Sequence, residues 1–178
     1  MIKIKTPLID DVLSKLKSGD EILLSGIIFT ARDAAHKLLF ELLHCNRKLP
    51  FDLEGAVIYY TGPTPKKPNQ IIGSCGPTSS YRMDKYTQEL LEHGLKATVG
   101  KGCRSKEVVA AMKKYKAVYF AATGGVGALL SKCVKKSEII AFPDLGCEAV
   151  YKLEVEKFPL IVVNDIYGND LYERGHVQ

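Results

Sequence analysis

The chain contains no Cys-x-x-Cys pair. Its five cysteines, Cys45, Cys75, Cys103, Cys133 and Cys147, fit neither a zinc ribbon nor a complete iron–sulfur ligand set. An odd count also argues against a simple disulfide framework. No signal peptide opens the sequence, and no apolar run is long enough to span a bilayer. A membrane role is therefore not expected, and a reducing cytoplasm is the natural compartment. Long basic runs are missing too. Lysines pair at Lys66-Lys67, Lys113-Lys114 and Lys135-Lys136 but do not cluster into a stripe. A dedicated nucleic-acid surface shows such a stripe, so no nucleic-acid partner is expected. Internal repeats and low-complexity segments are absent.

What remains is a globular composition. The chain has 178 residues, 46% of them apolar and 25% charged, which suits one domain with a sizeable core. The formal net charge is +5. Such an excess helps attract small anions, although a lysine-rich solvated surface gives the same number.

Strand and helix signals alternate. Glu21 to Phe29 reads as a buried strand, and Thr30 as the cap of a helix from about Ala31 to Cys45, with Leu38, Leu39, Leu42 and Leu43 as its apolar stripe. Ala56 to Tyr60 is a second strand. A Pro-rich loop follows from Thr61 to Asn69, and Ile71 and Ile72 open a short strand. A helix is expected from about Ser79 to His93, closed by Gly94. Leu95 to Val99 is a strand, Ser105 to Tyr115 a helix with Ser105 as N-cap, and Ala117 to Ala122 another strand. A short helix reaches about Val134. Ile139 to Phe142 and Leu160 to Val163 are strands, Glu148 to Val155 is ambiguous, and the tail from about Arg174 should fray. The alternation implies an α/β fold with a largely parallel or mixed sheet under helical cover.

Four groups carry chemistry. Thr30-Ala31-Arg32-Asp33-Ala34-Ala35-His36-Lys37 sits where a strand hands over to a helix, a favoured place for ligands. Arg32 and His36, four apart, share a helical face there. Arg32 suits a carboxylate and His36 suits proton transfer, unless both simply face solvent. Gly76-Pro77-Thr78-Ser79-Ser80-Tyr81-Arg82-Met83-Asp84 reads as a turn opening a helix, with proline in the first turn. If Thr78 and Arg82 are both helical, they lie one turn apart around a point fit for an anion. Gly100-Lys101-Gly102 follows a strand, and its lysine can reach a ligand or form a plain exposed turn. Thr123-Gly124-Gly125-Val126-Gly127 has Leu130 where a dinucleotide fingerprint needs its third glycine, so that reading is rejected. Arg32, Arg82 and Lys101, with Thr78 and His36 beside them, suit a dianionic ligand.

The same segments, with Gly168-Asn169-Asp170 near the end, occur in one order that resembles the beta subunit of class I, iron–sulfur-dependent fumarate hydratase and the related tartrate dehydratase. The resemblance covers nearly the whole chain. It implies a swivelling β/β/α domain. It implies an alpha subunit that carries a four-iron four-sulfur cluster, in a hetero-oligomer for which two of each chain is one arrangement. It implies a small dicarboxylate substrate at a site shared by the two subunits. Carried over by motif, Arg32, Arg82 and Gly76 bind substrate, Thr78 sits at the carbon losing its proton, and Lys101 contacts substrate or supports Thr78. His36 is the acid–base position of the tartrate enzymes. Ala31-Arg32-Asp33 and Arg82-Met83-Asp84 lean toward fumarase, whereas Ser79 and Tyr81 depart from the family's usual Thr and Ala. The expected reaction is reversible hydration of fumarate to (S)-malate. An L(+)-tartrate dehydratase subunit and a non-catalytic anion-binding assembly subunit are the alternatives.

Overall fold

A computed structural model describes residues 1–122 and 125–174. Thr123 and Gly124 of the glycine loop, and the tail beyond Arg174, lie outside the described residues.

Among the described residues, seven strands form one mixed sheet: β1 (Ile2–Lys5), β2 (Glu21–Thr30), β3 (Val57–Tyr59), β4 (Ala97–Gly100), β5 (Val118–Ala121), β6 (Val134–Ala141) and β7 (Val150–Asn164). Their order is β1-β2-β3-β4-β5-β7-β6, and β7 also pairs with β2. That extra pairing closes β2, β3, β4, β5 and β7 into a barrel-like ring. Neighbours from β1 to β5 run parallel, while β7 runs antiparallel to β2, β5 and β6. The longer helices are α2 (Asp33–His44), α3 (Asp84–Glu92) and α4 (Lys106–Tyr115); α1 (Asp10–Leu13), α5 (Gly127–Leu130) and α6 (Leu171–Arg174) are single turns.

Side-chain alternation explains the continuous apolar runs. Val57 and Tyr59 of β3 join one buried cluster with Val99, Phe120, Leu153 and Val162. Ile58 and Tyr60 face the other way, onto Ala35, Leu39, Leu90, Leu91, Val108 and Met112 of α2, α3 and α4. Strands buried on both faces need apolar residues at every position, which is why the sequence shows runs there and not period-two patterning.

Several expectations are corrected. Thr30 ends β2 and does not cap α2. Its hydroxyl accepts the Tyr151 N–H at 3.0 Å, and the N-cap is Arg32 in extended conformation. The buried stripe of α2 is Ala35, His36 and Leu39, not the leucine run. Ile71 and Ile72 form no strand. The expected Ser79–His93 helix is a 3-10 turn (Ser80–Met83) followed by α3, with Pro77 and Thr78 outside it. Glu148 to Val155 and Leu160 to Val163 belong largely to one 15-residue strand, β7. β6 starts five residues earlier than expected, and β1, α1 and α6 carried no usable signal. The Ser105 cap is present: its hydroxyl accepts the Val108 N–H at 3.3 Å.

Candidate active site

Parallel strands deliver their C-terminal ends to one edge of the sheet, and ligands in such folds bind there. β2 ends beside Arg32, β3 beside Thr61 and Gly62, and β4 beside Lys101. The predicted site residues Arg32, Arg82, Thr78, Lys101 and Gly76 all belong to segments at this edge.

Thr78 reaches it by backbone pairing, not by a helix. The Thr78 N–H donates to the Tyr60 carbonyl (2.7 Å), the Lys101 N–H to the Thr78 carbonyl (3.3 Å) and the Ser80 N–H to the Lys101 carbonyl (2.9 Å). Residues 78–80 thus run parallel to Lys101 as one extra rung beyond β4. Gly100 permits this approach. A Cβ there would fall 2.0 Å from Ser80 Oγ and 3.2 Å from the Thr78 carbonyl oxygen. Thr78 is half-buried and Lys101 exposed. Gly76 is held by the Thr61 hydroxyl, which donates to its carbonyl at 2.7 Å. It packs so closely on Gly127 that a Cβ on Gly127 would lie 2.7 Å from the Gly76 nitrogen. Gly127 of the glycine loop therefore serves close packing against the Gly76 corner.

Asp33 couples the arginines. Arg82 donates from Nε to Asp33 Oδ1 and from Nη2 to Oδ2, both at 2.9 Å, a two-pronged pair. Arg32 Nε lies 3.4 Å from Asp33 Oδ2 and 3.2 Å from Glu148 Oε1. Glu148 Oε2 in turn accepts the Ala34 N–H at 2.9 Å, at the start of α2. Two carboxylates thus hold two guanidinium groups side by side at a partly exposed edge. Sequence reading gave no role to Asp33 and missed Glu148.

His36 does not share a face with the Arg32 side chain. It is fully buried, edge-on to the Tyr60 ring and stacked on Tyr86. Its Nδ1 lies 3.1 Å from the Arg32 carbonyl oxygen. A carbonyl can only accept, so Nδ1 carries the proton and Nε2 is bare, with no hydrogen-bond partner. Burial pushes the ring's pKa down to about 4, which keeps it neutral at pH 7.

A second unforeseen group lies beneath the edge. The Arg104 side chain is completely buried. It donates from Nε to Asp84 Oδ1 (2.7 Å), from Nη1 to Thr98 (2.9 Å) and from Nη2 to Thr87 (2.7 Å). Asp84 Oδ2 accepts the Ser105 N–H at 2.7 Å. Ser80 donates to the Tyr119 hydroxyl (2.9 Å), which donates to the Gly102 carbonyl (2.8 Å). These bonds tie the loop carrying Lys101 to the turn carrying Thr78 and Arg82.

Comparison with known proteins decides the family. The sequence matches the family described as "Fumarase C-terminus" over residues 1–175. The chain belongs to the fumarase C-terminus family. A relative in Methanocaldococcus jannaschii, a "Putative L(+)-tartrate dehydratase subunit beta", is 46% identical over 90% of this chain and 86% of its own length. Fumarate hydratase 2 of Leishmania major is 40% identical over 91% of this chain but only 29% of its own length. The anaerobic class I fumarate hydratase of Escherichia coli is 37% identical over 91% of this chain and 30% of its own. This chain therefore spans about three tenths of the fumarate hydratases it matches.

No helix of the described residues is long and apolar enough to cross a membrane. Nor, among them, do three His, Cys, Asp or Glu side chains converge as a metal site. The five thiols are scattered, and burial pushes Cys75 up to about 12, far from the thiolate a metal needs. Among the described residues, no set of side chains fits a resident cluster.

Proposed function

We propose that this chain is the carboxylate-binding subunit of a hydro-lyase that interconverts fumarate and (S)-malate, completed by a companion alpha subunit that carries a four-iron four-sulfur cluster. The observation that carries the reading is the pairing of Arg32 and Arg82 through Asp33 at the sheet edge that also presents Thr78 and Lys101. Two adjacent guanidinium groups suit the two carboxylates of a small diacid. Asp33 and Glu148 take up Nε and part of the forks, so substrate would use the remaining guanidinium nitrogens. Preset orientation lowers the entropic cost of positioning the diacid.

Thr78 is the proton carrier in this account. A hydroxyl is a weak base, and the positive charges of Lys101 and Arg82 would stabilise its anion. His36 is the competing carrier, since its bare Nε2 is chemically suited to take a proton. Its burial favours Thr78. We assign His36 instead to holding the Arg32 backbone in the extended form that aims the guanidinium outward. The cluster belongs to the companion, where it would supply Lewis-acid assistance to the departing hydroxyl. The swivelling of this domain against its companion, a hetero-oligomer for which two of each chain is one arrangement, and a cytoplasmic setting for the free thiols complete the proposal.

One observation favours a second substrate. The relative in Methanocaldococcus jannaschii, similar over most of both chains, carries a tartrate dehydratase name. Turnover of (S)-malate and L(+)-tartrate by the two-subunit complex separates the readings. A non-catalytic anion-binding role predicts instead that the chain alone binds fumarate tightly. The proton assignment is tested by Thr78→Ala in the reconstituted complex. We expect malate dehydration to fall by about 100-fold or more, the usual scale for losing a general acid–base group. Activity within a few fold of the parent would remove Thr78 from the mechanism.

A further inference from the structure

A groove of about 540 Å³ opens beside the arginines. Pro63, Pro65 and Ile71 of the loop after β3 form one wall, and Ile139 of β6, Cys147 and Tyr151 line the rest. Lys66 is its sole charged lining residue. Ile71 and Ile139, 47% and 45% exposed, stand on opposite walls of this one groove, so their apolar surface is grouped and not scattered. The loop wall is braced: the Thr64 N–H donates to the Ser74 carbonyl and the Ser74 N–H to the Thr64 hydroxyl, both at 2.9 Å. The strand wall is open. β6 ends the sheet order and pairs only with β7, so its outer edge has no strand partner among the described residues. Lys135 and Lys136 guard one end of that edge, but Ile139, Ile140 and Ala141 at the other end carry no charge.

We propose that this groove and the Ile139–Ala141 edge of β6 seat the companion subunit, a folded partner presenting an apolar surface. The inference rests on the two-subunit reading above. Position argues for this occupant. Cys147 lines the groove, its carbonyl oxygen lies 3.0 Å from where a Cβ on Gly62 would stand, and its neighbour Glu148 holds Arg32 at 3.2 Å. A body filling the groove is therefore in contact with the wall of the arginine site. The longer relatives supply the mass: this chain matches only 29% and 30% of two of them, so each carries a much larger body of chain joined to its equivalent of this fold. Charge argues the same way. An apolar lining with one lysine recognises neither nucleic acid nor an acidic peptide, both of which need clustered cations. A second copy of this chain would bury the groove but would leave the half-formed site no more complete.

The test uses the full chain and the companion of the same organism that matches the part of the fumarate hydratases left uncovered here. Ile71→Glu and Ile139→Glu, both exposed, should leave the chain's own thermal unfolding nearly unchanged. Lys85→Glu on α3, away from the groove, is the control. Titration of each chain into the companion, followed by sedimentation, should show the two isoleucine variants weakened by 10-fold or more and the control unchanged. Amide exchange should slow in residues 63–73 and 137–141 on complex formation. A complex that forms with unaltered affinity in both variants overturns the groove assignment while leaving the two-subunit reading intact. Failure of the parent chain to bind the companion overturns the two-subunit reading itself. Self-association of the parent that the variants abolish would give the groove to a second copy and overturn the proposal.

Discussion

His36 shows how much a single side chain's surroundings decide. The sequence makes it a natural proton carrier, four residues after an arginine at a helix start. The fold turns that arginine outward and seals the imidazole between Tyr60 and Tyr86. Its folded pKa of about 4 lies below the usual 6.5, so the unfolded chain binds the extra proton first as pH falls. Stability from this group is full above 6.5 and is lost as pH drops toward 4. Between pH 7 and 5 the loss should be about 2 kcal/mol. Urea unfolding of the parent and of His36→Asn, whose amide can keep the bond to the Arg32 carbonyl, checks this. The variant should lack that extra pH dependence. Equal slopes in both would show that His36 is not held neutral. Arg32 and Arg82 could be singled out from the sequence because guanidinium chemistry is local, and the fold brings both to Asp33. Glu148 was not, because its contact with Ala34 spans 114 residues of chain.

At the level of elements, local signals were readable and pairings were not. Ser105 caps α4 with its own hydroxyl, and Gly94, with φ +102, ends the turn after α3. Both follow from the chemistry of one residue. The Thr78–Lys101 rung depends on two segments meeting across the end of a sheet, and nothing in Gly-Pro-Thr announces it. β7 was obscured for a similar reason. Pro159 cannot donate to a ladder and Lys157 has φ +52, so the strand looks interrupted. It continues because its neighbours change along its length, β6 and β2 near the start, β2 and β5 near the end. The joint between α3 and the Lys101 loop gives a prediction at this scale. Arg104→Met would leave Asp84 without its partner in a nearly dry site. Breaking such a pair costs about 3 kcal/mol, roughly 6–12 °C in melting temperature for a chain of this size. Calorimetry of the parent and variant measures it. A drop below about 2 °C would mean that the buried network does not hold the edge together.

For the whole molecule, the ring of strands fixes one functional edge. Closure through β2 and β7 buries one face of β3, β4 and β5, and α2, α3 and α4 cover the other, so the ends of these strands cannot shift independently. The α/β class with a mixed sheet was legible from alternating strand and helix signals. Closure was not, since it depends on β7 pairing with both β2 and β5. On the function proposed here, what the closed fold offers is half of an active centre: arginines, a threonine and a lysine on one rim, with an apolar groove beside them. The most direct test mixes the purified chain with its companion in increasing ratio and follows fumarate formation from (S)-malate. The account predicts negligible turnover from either chain alone, and activity that rises with added chain until the two are matched. Turnover by the companion alone equal to that of the mixture would contradict it.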